Sequence, residues 1–427
     1  MVKAKSYEIS KHLVWAAYLR VKENNGSGGV DGVELGDYEK DVKNNLYRLW
    51  NRMSSGSYFP KAVRLVEIPK GNGGVRPLGI PAIEDRIAQQ VVVMMLEPSM
   101  EPHFHPDSYG YRPGRSAHQA LEAARKRCWR YDWVLDLDIS KYFDTIDHEL
   151  LMQAVKRHTE CNWILLYIDR WLKVPYQLKD GTIVERNRGI AQGSNIGPLL
   201  SNLFLHYVFD EWMRRKHATI PFERYVDDAI CHCGTEQEAK VLKEEIKLRF
   251  AECRLELSEE KTKIVYCKDE DRRGNYPEEK FDFLGYCFRA RRSKNRWGKY
   301  FINFSPAISN KSKAKITRTM RGWNLRSKVD KTIEDLARMF NKIIQGWINY
   351  YGKFYKSGMY PLFQHLNRKL VFWVRSKFKR FKNHGQRAER WLGRIAKQQP
   401  NLFAHWKLGV RPAIAGNENK QQAIGTE

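Results

Sequence analysis

Asp227 and Asp228 stand side by side in "ERYVDDAICHC", residues 223–233, a run that otherwise suits a β-strand. Apolar Tyr225, Val226, Ala229 and Ile230 flank them, which predicts a hairpin with the acids at its tip. An Asx-type turn is one account of such a pair. A divalent-metal site is the other, and it needs carboxylates from elsewhere. Far upstream, "VLDLDISKYFDTID" alternates so that Asp136 and Asp138 share one face of a strand while Leu135, Leu137 and Ile139 share the other. Alone, that is equally an ordinary half-exposed strand. Two strands of one sheet could bring these acids together, where like charges a few ångströms apart repel unless cations stand between them. Two Mg²⁺ ions would remove that cost, one activating an attacking oxygen and the other steadying a leaving oxygen.

The elements that must position these acids show in the periodicity. The first 55 residues read as helix, interrupted by the glycine-rich "NNGSGGVDGV" at residues 24–33. A phosphate cradle is one account of that loop, but it lacks both a preceding strand and a following Gly-Lys-Ser/Thr, so a flexible loop is expected in preference to it. "VRLVEIPK", "GNGG" and "VRPLGIP" predict a hairpin with Lys70 and Arg76 near its tip. Helices are expected from Ile83 to Leu96 and from Ala117 to Trp129. Strands and helices then alternate to about Phe288, a mixed α+β body. Ile333, Leu336, Phe340, Ile343, Trp347, Tyr350 and Phe354 recur at helical spacing. A second, strongly basic helix is expected over residues 368–382, with Phe372, Trp373, Phe378 and Phe381 among Arg375, Lys377, Lys379, Arg380 and Lys382.

Bulk composition narrows the partner. The 427 residues carry 75 Lys+Arg against 49 Asp+Glu, a net charge of +26, which points to nucleic acid. A basic chain with a two-metal carboxylate site is most simply a nucleotidyl transferase or a nuclease. No apolar run is long enough for a membrane helix and the N-terminus lacks a secretory core, so a soluble cytoplasmic protein without membrane partners is expected. The seven cysteines include no CxxC pair, which argues against a disulfide framework or a zinc ribbon.

With these segments in order, a resemblance emerges. Tyr225-Val226-Asp227-Asp228 is similar to the YxDD box of reverse transcriptases, and "DLDISKYFD" to their first palm motif. "RNRGIAQGSNIGPLLSNLFLHYVFD", "LSEEKTK" and "FDFLGY" resemble the motifs that follow. "IPKGNGGVRPLGIP" and "SYGYRPGRSAHQAL" look like the fingers of the group II intron branch, and "GWINYYGKF" like its thumb, or maturase, domain. The resemblance implies a right-hand polymerase. Residues 1–60 would form an N-terminal extension, 61–130 fingers, 131–304 palm and 305–375 a helical thumb. A basic DNA-binding-like segment at 376–412 and a disordered tail at 413–427 would follow.

It also implies roles. Asp138 and Asp227 would be the principal ligands of two Mg²⁺ ions, with Mn²⁺ able to substitute, joined by Asp228 and the backbone carbonyl of Ile139. Asp136 and Asp144 are weaker candidates with structural alternatives. Phe143 falls at the steric-gate position that selects dNTPs, and Gln192-Gly193 beside the templating base. Lys70 and Arg76 suit the triphosphate, and Lys261 or Lys263 the pyrophosphate. Tyr225 and Val226 would face the primer end. Arg112 and Arg115 would contact template phosphates or hold the fingers together. Arg375, Lys377, Lys379 and Arg380 would track a duplex backbone. The implied partners are an RNA template, a DNA primer or template, their RNA–DNA hybrid and dNTPs, in a bacterial, nucleoid-associated setting. The sequence does not decide between monomer and homodimer.

Three features depart from the intron-encoded pattern: Val226 where Ala is usual, Ser194-Asn195-Ile196-Gly197 after the Gln-Gly pair, and no HNH endonuclease after the thumb. Two settings share the chemistry, a free-standing polymerase acting in DNA repair or defence and an intron mobility protein with maturase activity. A splicing factor with an inactive polymerase domain conflicts with the intact Asp138, Asp227 and Asp228. An RNA-dependent RNA polymerase conflicts with Phe143.

Overall fold

A computed structural model describes residues 7–24, 26–69, 74–295 and 297–413; Lys70 and the expected tail from residue 414 lie outside them. The described residues are mixed helix and strand. The chain divides into two compact units, Met1–Ala120 with Leu135–Lys263, and Leu121–Val134 with Ile264–Glu427.

In the first unit the N-terminal stretch forms helices Lys11–Asn24, Leu35–Glu39 and Val42–Ser55. The expected hairpin is present as β1 (Val63–Pro69) and β2 (Val75–Ile80), antiparallel from Arg64↔Ile80 to Pro69↔Val75. Helix Ile83–Met100 follows Pro81 and carries Glu84 and Asp85 in its first turn, where acids favour the exposed N–H groups. It buries Ile87, Val91, Val92 and Leu96, and helix Lys11–Asn24 packs against it. Strand β3 (Trp133–Leu137), which belongs to this unit from Leu135 onward, leads to the acidic segment. The short strands β4 (Tyr176–Gln177) and β5 (Ile183–Val184) extend the first sheet in the order β2-β1-β4-β5. Strands β6 (Phe222–Tyr225) and β7 (Asp228–Cys233) pair antiparallel from Phe222↔Cys231 to Tyr225↔Asp228.

The second unit contains β8 (Lys263–Tyr266) from Ile264 onward, and a sheet of β9 (Lys280–Phe283), β10 (Tyr286–Lys294) and β11 (Tyr300–Ile308) in the order β11-β10-β9. Its helices surround Trp323, which stacks on Phe340 at 4.3 Å and on Trp347 at 5.5 Å. Helix Ile333–Tyr351 starts at a capping box of Thr332 and Asp335. Its inward face differs in detail from the pattern expected: Ile344 is fully buried and Ile343 is 41% exposed. The predicted basic helix over 368–382 needs correction. It is Tyr360–Lys377, and Phe378 breaks it before a 3₁₀ turn at Lys379–Phe381. The break lets Phe378 meet Trp391 at 5.2 Å.

No helix among the described residues is long and apolar enough to cross a membrane. All seven cysteines are free thiols, with Cys161 and Cys287 half-buried and the others buried.

One buried acid gives the fold a pH dependence. Asp85 accepts hydrogen bonds from the Tyr58 hydroxyl and, at 3.2 Å, from the Lys61 N–H, yet burial pushes its carboxyl up to about 7. A raised folded value means that stability is full below the unfolded value of 3.8 and declines as pH rises towards 7. Urea unfolding from pH 5 to 8 is expected to show this decline, and Asp85→Asn to flatten it. An unchanged slope in the variant would show that Asp85 ionises freely.

Candidate active site

The acids fall where the apolar flanks required. The closing pair Tyr225↔Asp228 leaves Val226 and Asp227 as a two-residue turn, and Asp228 begins β7. Such turns favour left-handed backbone at their first central residue, because the twist then matches the strands. Glycine or asparagine suits that position; here it is Val226, at φ +63°. A β-branched residue in this region costs roughly 1–3 kcal/mol and persists only where its surroundings overdetermine it.

Arg224 supplies much of that constraint. Its side chain is 1% exposed, and its Nε and Nη2 donate to the two Asp210 carboxylate oxygens at 2.7 and 2.6 Å. Nη1 donates to Asn202 Oδ1 at 3.0 Å and to the Val226 carbonyl at 2.9 Å. Asn202 in turn donates to the Gly110 carbonyl at 2.6 Å. The segment before Gly110 runs beside β6, with Arg224 N–H donating to Asp107 O at 2.9 Å and Tyr109 N–H to Arg224 O at 2.8 Å. A Cβ on Gly110 would lie 2.6 Å from both the Val226 nitrogen and its Cγ2, so only glycine permits this approach. Val226 is therefore turned inward and 5% exposed. This differs from the expected primer-facing side chain, because the left-handed backbone directs it at Gly110. Tyr225 is half-buried.

Asp138 lies just past the end of β3. Its Oδ1 receives the Lys261 ammonium at 3.0 Å, its N–H donates to Thr262 Oγ1 at 3.3 Å, and its carbonyl accepts from the Ser258 N–H at 2.8 Å. Burial raises the Asp227 carboxyl above its ordinary value, and the Asp138 charge adds to this against Arg76 and Arg224. The Asp138 charge thus reaches Asp227, and Asp138 already holds a positive group. Oxygen donors of this kind suit a hard divalent cation. Among the described residues, however, no group of three or more His, Cys, Asp or Glu is arranged to hold a metal ion. Asp228 is exposed, Asp136 half-buried, and Ile139 bridges in antiparallel register to Leu257.

A second strap joins the other expected residues. The Phe143 carbonyl accepts the Ile190 N–H at 2.7 Å, and the Gln192 carbonyl accepts the Gly79 N–H of β2 at 2.8 Å. Gly189 and Gly193 are left-handed, at φ +82° and +114°, and a Cβ on either would strike backbone at 2.8 or 2.5 Å. Phe143, Gln192, Gly193 and the β2 strand that carries Arg76 are so tied together.

Of the two roles expected of Arg112, its surroundings fit an internal tie and not a nucleic-acid contact. Its side chain is 4% exposed, paired with Glu101 at 2.7 Å and donating to the carbonyls of His105 and Ser108. Arg115 is exposed and lies 5.9 Å from the Tyr109 ring. Arg375 donates to the Lys382 carbonyl, and Lys377 to those of Val329 and Lys331. Lys379 and Arg380 stay exposed. Residues missed from the sequence include Asn202, Asp210 and Gly110, and also Tyr111. Tyr111 is left-handed at φ +53° and 56% exposed. Burial raises its hydroxyl, with the Asp227 charge adding to this and Arg76 opposing it. Polar Asn202 and Asp210 inside the apolar run "LSNLFLHYVFD" were the available signal.

The profile of the family described as reverse transcriptase (RNA-dependent DNA polymerase) matches residues 68–288, just over half of the chain. The chain belongs to that family. Residues 313–391 match the group II intron, maturase-specific domain. Protein YkfC of Escherichia coli is 32% identical over 308 residues, covering 63% of this chain and 77% of its own. Group II intron-encoded protein LtrA of Lactococcus lactis is 27% identical over 353 residues, 67% of this chain and 56% of its own. Nuclear intron maturase 1 of Arabidopsis thaliana is 31% identical over 93 residues, 22% of this chain and 13% of its own. This is a reverse transcriptase of the group II intron type.

Arg224→Met is expected to cost about 3–5 kcal/mol, because Asp210 is left charged, buried and unpaired. Adding Asp210→Leu should recover much of that stability in urea unfolding without restoring the hold on Val226. A single variant as stable as wild type would show that Asp210 tolerates isolation.

Proposed function

We propose that the chain copies RNA, and DNA, into DNA by adding dNTPs to a primer, with Asp138 and Asp227 holding the catalytic metal and Asp228 assisting. The observation that carries this reading is the reverse transcriptase profile over residues 68–288, within which Asp138 lies just past the end of β3 and Asp227 in a locked turn. Two divalent ions, Mg²⁺ in the first instance, would lower the pKa of the primer hydroxyl and offset charge on the transferring phosphate. Asp138 can accept a cation where Lys261 now donates, and the displaced ammonium is then placed to meet departing pyrophosphate. Arg76 offers a planar fork to the triphosphate. Phe143 closes the space that a 2′-OH would need, held by the strap from Ile190 to Gln192. Tyr225 takes the primer-end role. The surrounding architecture would be most of the fingers and palm in the first unit, with the rest of both and the thumb in the second.

Two biological settings remain, and each has one support. The match over 313–391 favours an intron-associated protein with maturase activity. The free-standing repair polymerase, with end joining or gap filling, rests on Val226. Because Val226 points into the fold, its influence on primer ends would pass through the turn it shapes. Val226→Ala should then shift the balance from extension of briefly paired ends towards long cDNA; equal changes in both would remove the repair reading.

Primer extension on RNA and DNA templates tests the chemistry. Asp138→Ala or Asp227→Ala is expected to abolish extension and leave nucleic-acid affinity nearly intact, since binding resides in distant cations. Residual extension above about a tenth of wild type, little more than 1 kcal/mol of barrier, would overturn the assignment. Phe143→Ala should admit ribonucleotides, and an unchanged ratio of dGTP to rGTP incorporation would make Phe143 a packing residue.

A further inference from the structure

Strands β10 and β11 stay paired over nine residues each, from Tyr286↔Ile308 to Lys294↔Tyr300, whereas β9 accompanies β10 only as far as Arg289↔Lys280. The ribbon therefore continues past its third strand. Side chains alternate along a strand, and the pairs Arg292↔Ile302 and Lys294↔Tyr300 set these four on one face. All four are exposed. The Arg292 guanidinium stacks 3.8 Å from the Tyr300 ring centre, with Lys294 at 5.4 Å. The other face is internally bonded: Asn303 Oδ1 accepts from Ser293 and Ser305, and Arg291 donates to the carbonyls of Ser305 and Cys287.

At the end of the ribbon Asn295 Oδ1 accepts the N–H groups of Trp297 and Lys299 at 3.0 and 2.9 Å. This turn presents Trp297 with 75% of its surface exposed. From Phe283 to Ile308 the sequence has no acid and carries Arg289, Arg291, Arg292, Lys294, Arg296 and Lys299. Acids approach from outside the ribbon: Asp282 lies opposite Cys287 at its base, and the Glu270 N–H donates to the Ile302 carbonyl at 3.1 Å. That contact engages the ribbon's edge, so addition of a foreign strand there is disfavoured and the face remains.

We propose that this face of the β10–β11 ribbon binds an unpaired nucleic-acid strand, with a base stacked on Trp297 and phosphates met by Arg292, Lys294 and Lys299. The absence of acids suits a polyanion. Exposed aromatic rings alternating with cations suit bases whose faces are open, which a duplex offers only at its ends. The assignment goes beyond the polymerase reading and uses none of its residues.

Fluorescence anisotropy of the full chain with an unstructured oligonucleotide of about 12 residues, as DNA and as RNA, and with a blunt duplex tests it. Trp297→Ala is expected to weaken the unpaired strand at least about fivefold and leave the duplex nearly unchanged. Trp297→Phe, which keeps a ring, should retain most of the affinity, separating loss of stacking from loss of folding. Arg292→Gln with Lys294→Gln should lower the salt slope for the unpaired strand by roughly 1.4. Equal weakening of duplex and single strand would make the ribbon a groove or general electrostatic contact, and unchanged binding would make it a solvated tip; either overturns the proposal. Extension of a primer on a template with little unpaired overhang should stay at the wild-type rate in Trp297→Ala. Failure of the polymerase reading would appear there, and failure of the ribbon proposal in anisotropy.

Discussion

A buried arginine paired to a buried aspartate determines where the candidate catalytic acid points. Asp210 and Arg224 are both almost fully enclosed, an arrangement whose desolvation cost is large unless each polar group is met. Four hydrogen bonds from the guanidinium meet that need, and one of them ends on the Val226 carbonyl. The same guanidinium that neutralises Asp210 thus holds a β-branched residue in a left-handed turn. Asp227 follows directly, so its carboxylate inherits the turn's geometry. An apolar substitute for the ion pair could match its packing but could not reach the carbonyl.

Close backbone approach does comparable service on the other side of the site. Gly79, Gly189 and Gly193 lie where a Cβ would meet a neighbour at 2.5–2.8 Å. The segment from Gly189 to Gly193 is therefore held close to Phe143 and β2 by backbone hydrogen bonds, with His148 Nε2 also bonded to the Gly189 carbonyl. Preorganisation of this kind lets side chains such as Phe143 and Gln192 be placed without flexible intermediaries.

Local pattern made much of this legible. The β1–β2 hairpin, the acids at the β6–β7 tip and the helix at 333–351 all follow from alternation, turn residues and helical spacing. Partners that alternation and helical spacing do not encode were not legible. Arg112 looks like a free cation until Glu101 and two carbonyls are placed around it. Lys377 likewise looks free until Val329 and Lys331 approach it. Ile343 and Ile344 fit the helical stripe about equally well, and tertiary packing chooses Ile344. The break at Phe378 has the same origin, since packing against Trp391 overrides a sequence that could continue as helix.

The chain's excess of positive charge is accordingly of two kinds. Arg112, Arg224 and Arg291 direct their guanidinium groups at carbonyls and carboxylates within the fold, where they replace water for buried acceptors. Arg292, Lys294, Lys379 and Arg380 remain exposed. Net charge alone treats the two kinds alike, yet only the second can release counterions from a nucleic acid and respond to salt. A surface that binds a polyanion is better recognised where exposed cations lack acidic neighbours and stand beside exposed rings. By that measure the β10–β11 ribbon qualifies, whereas Arg112, inside the resembling motif, does not.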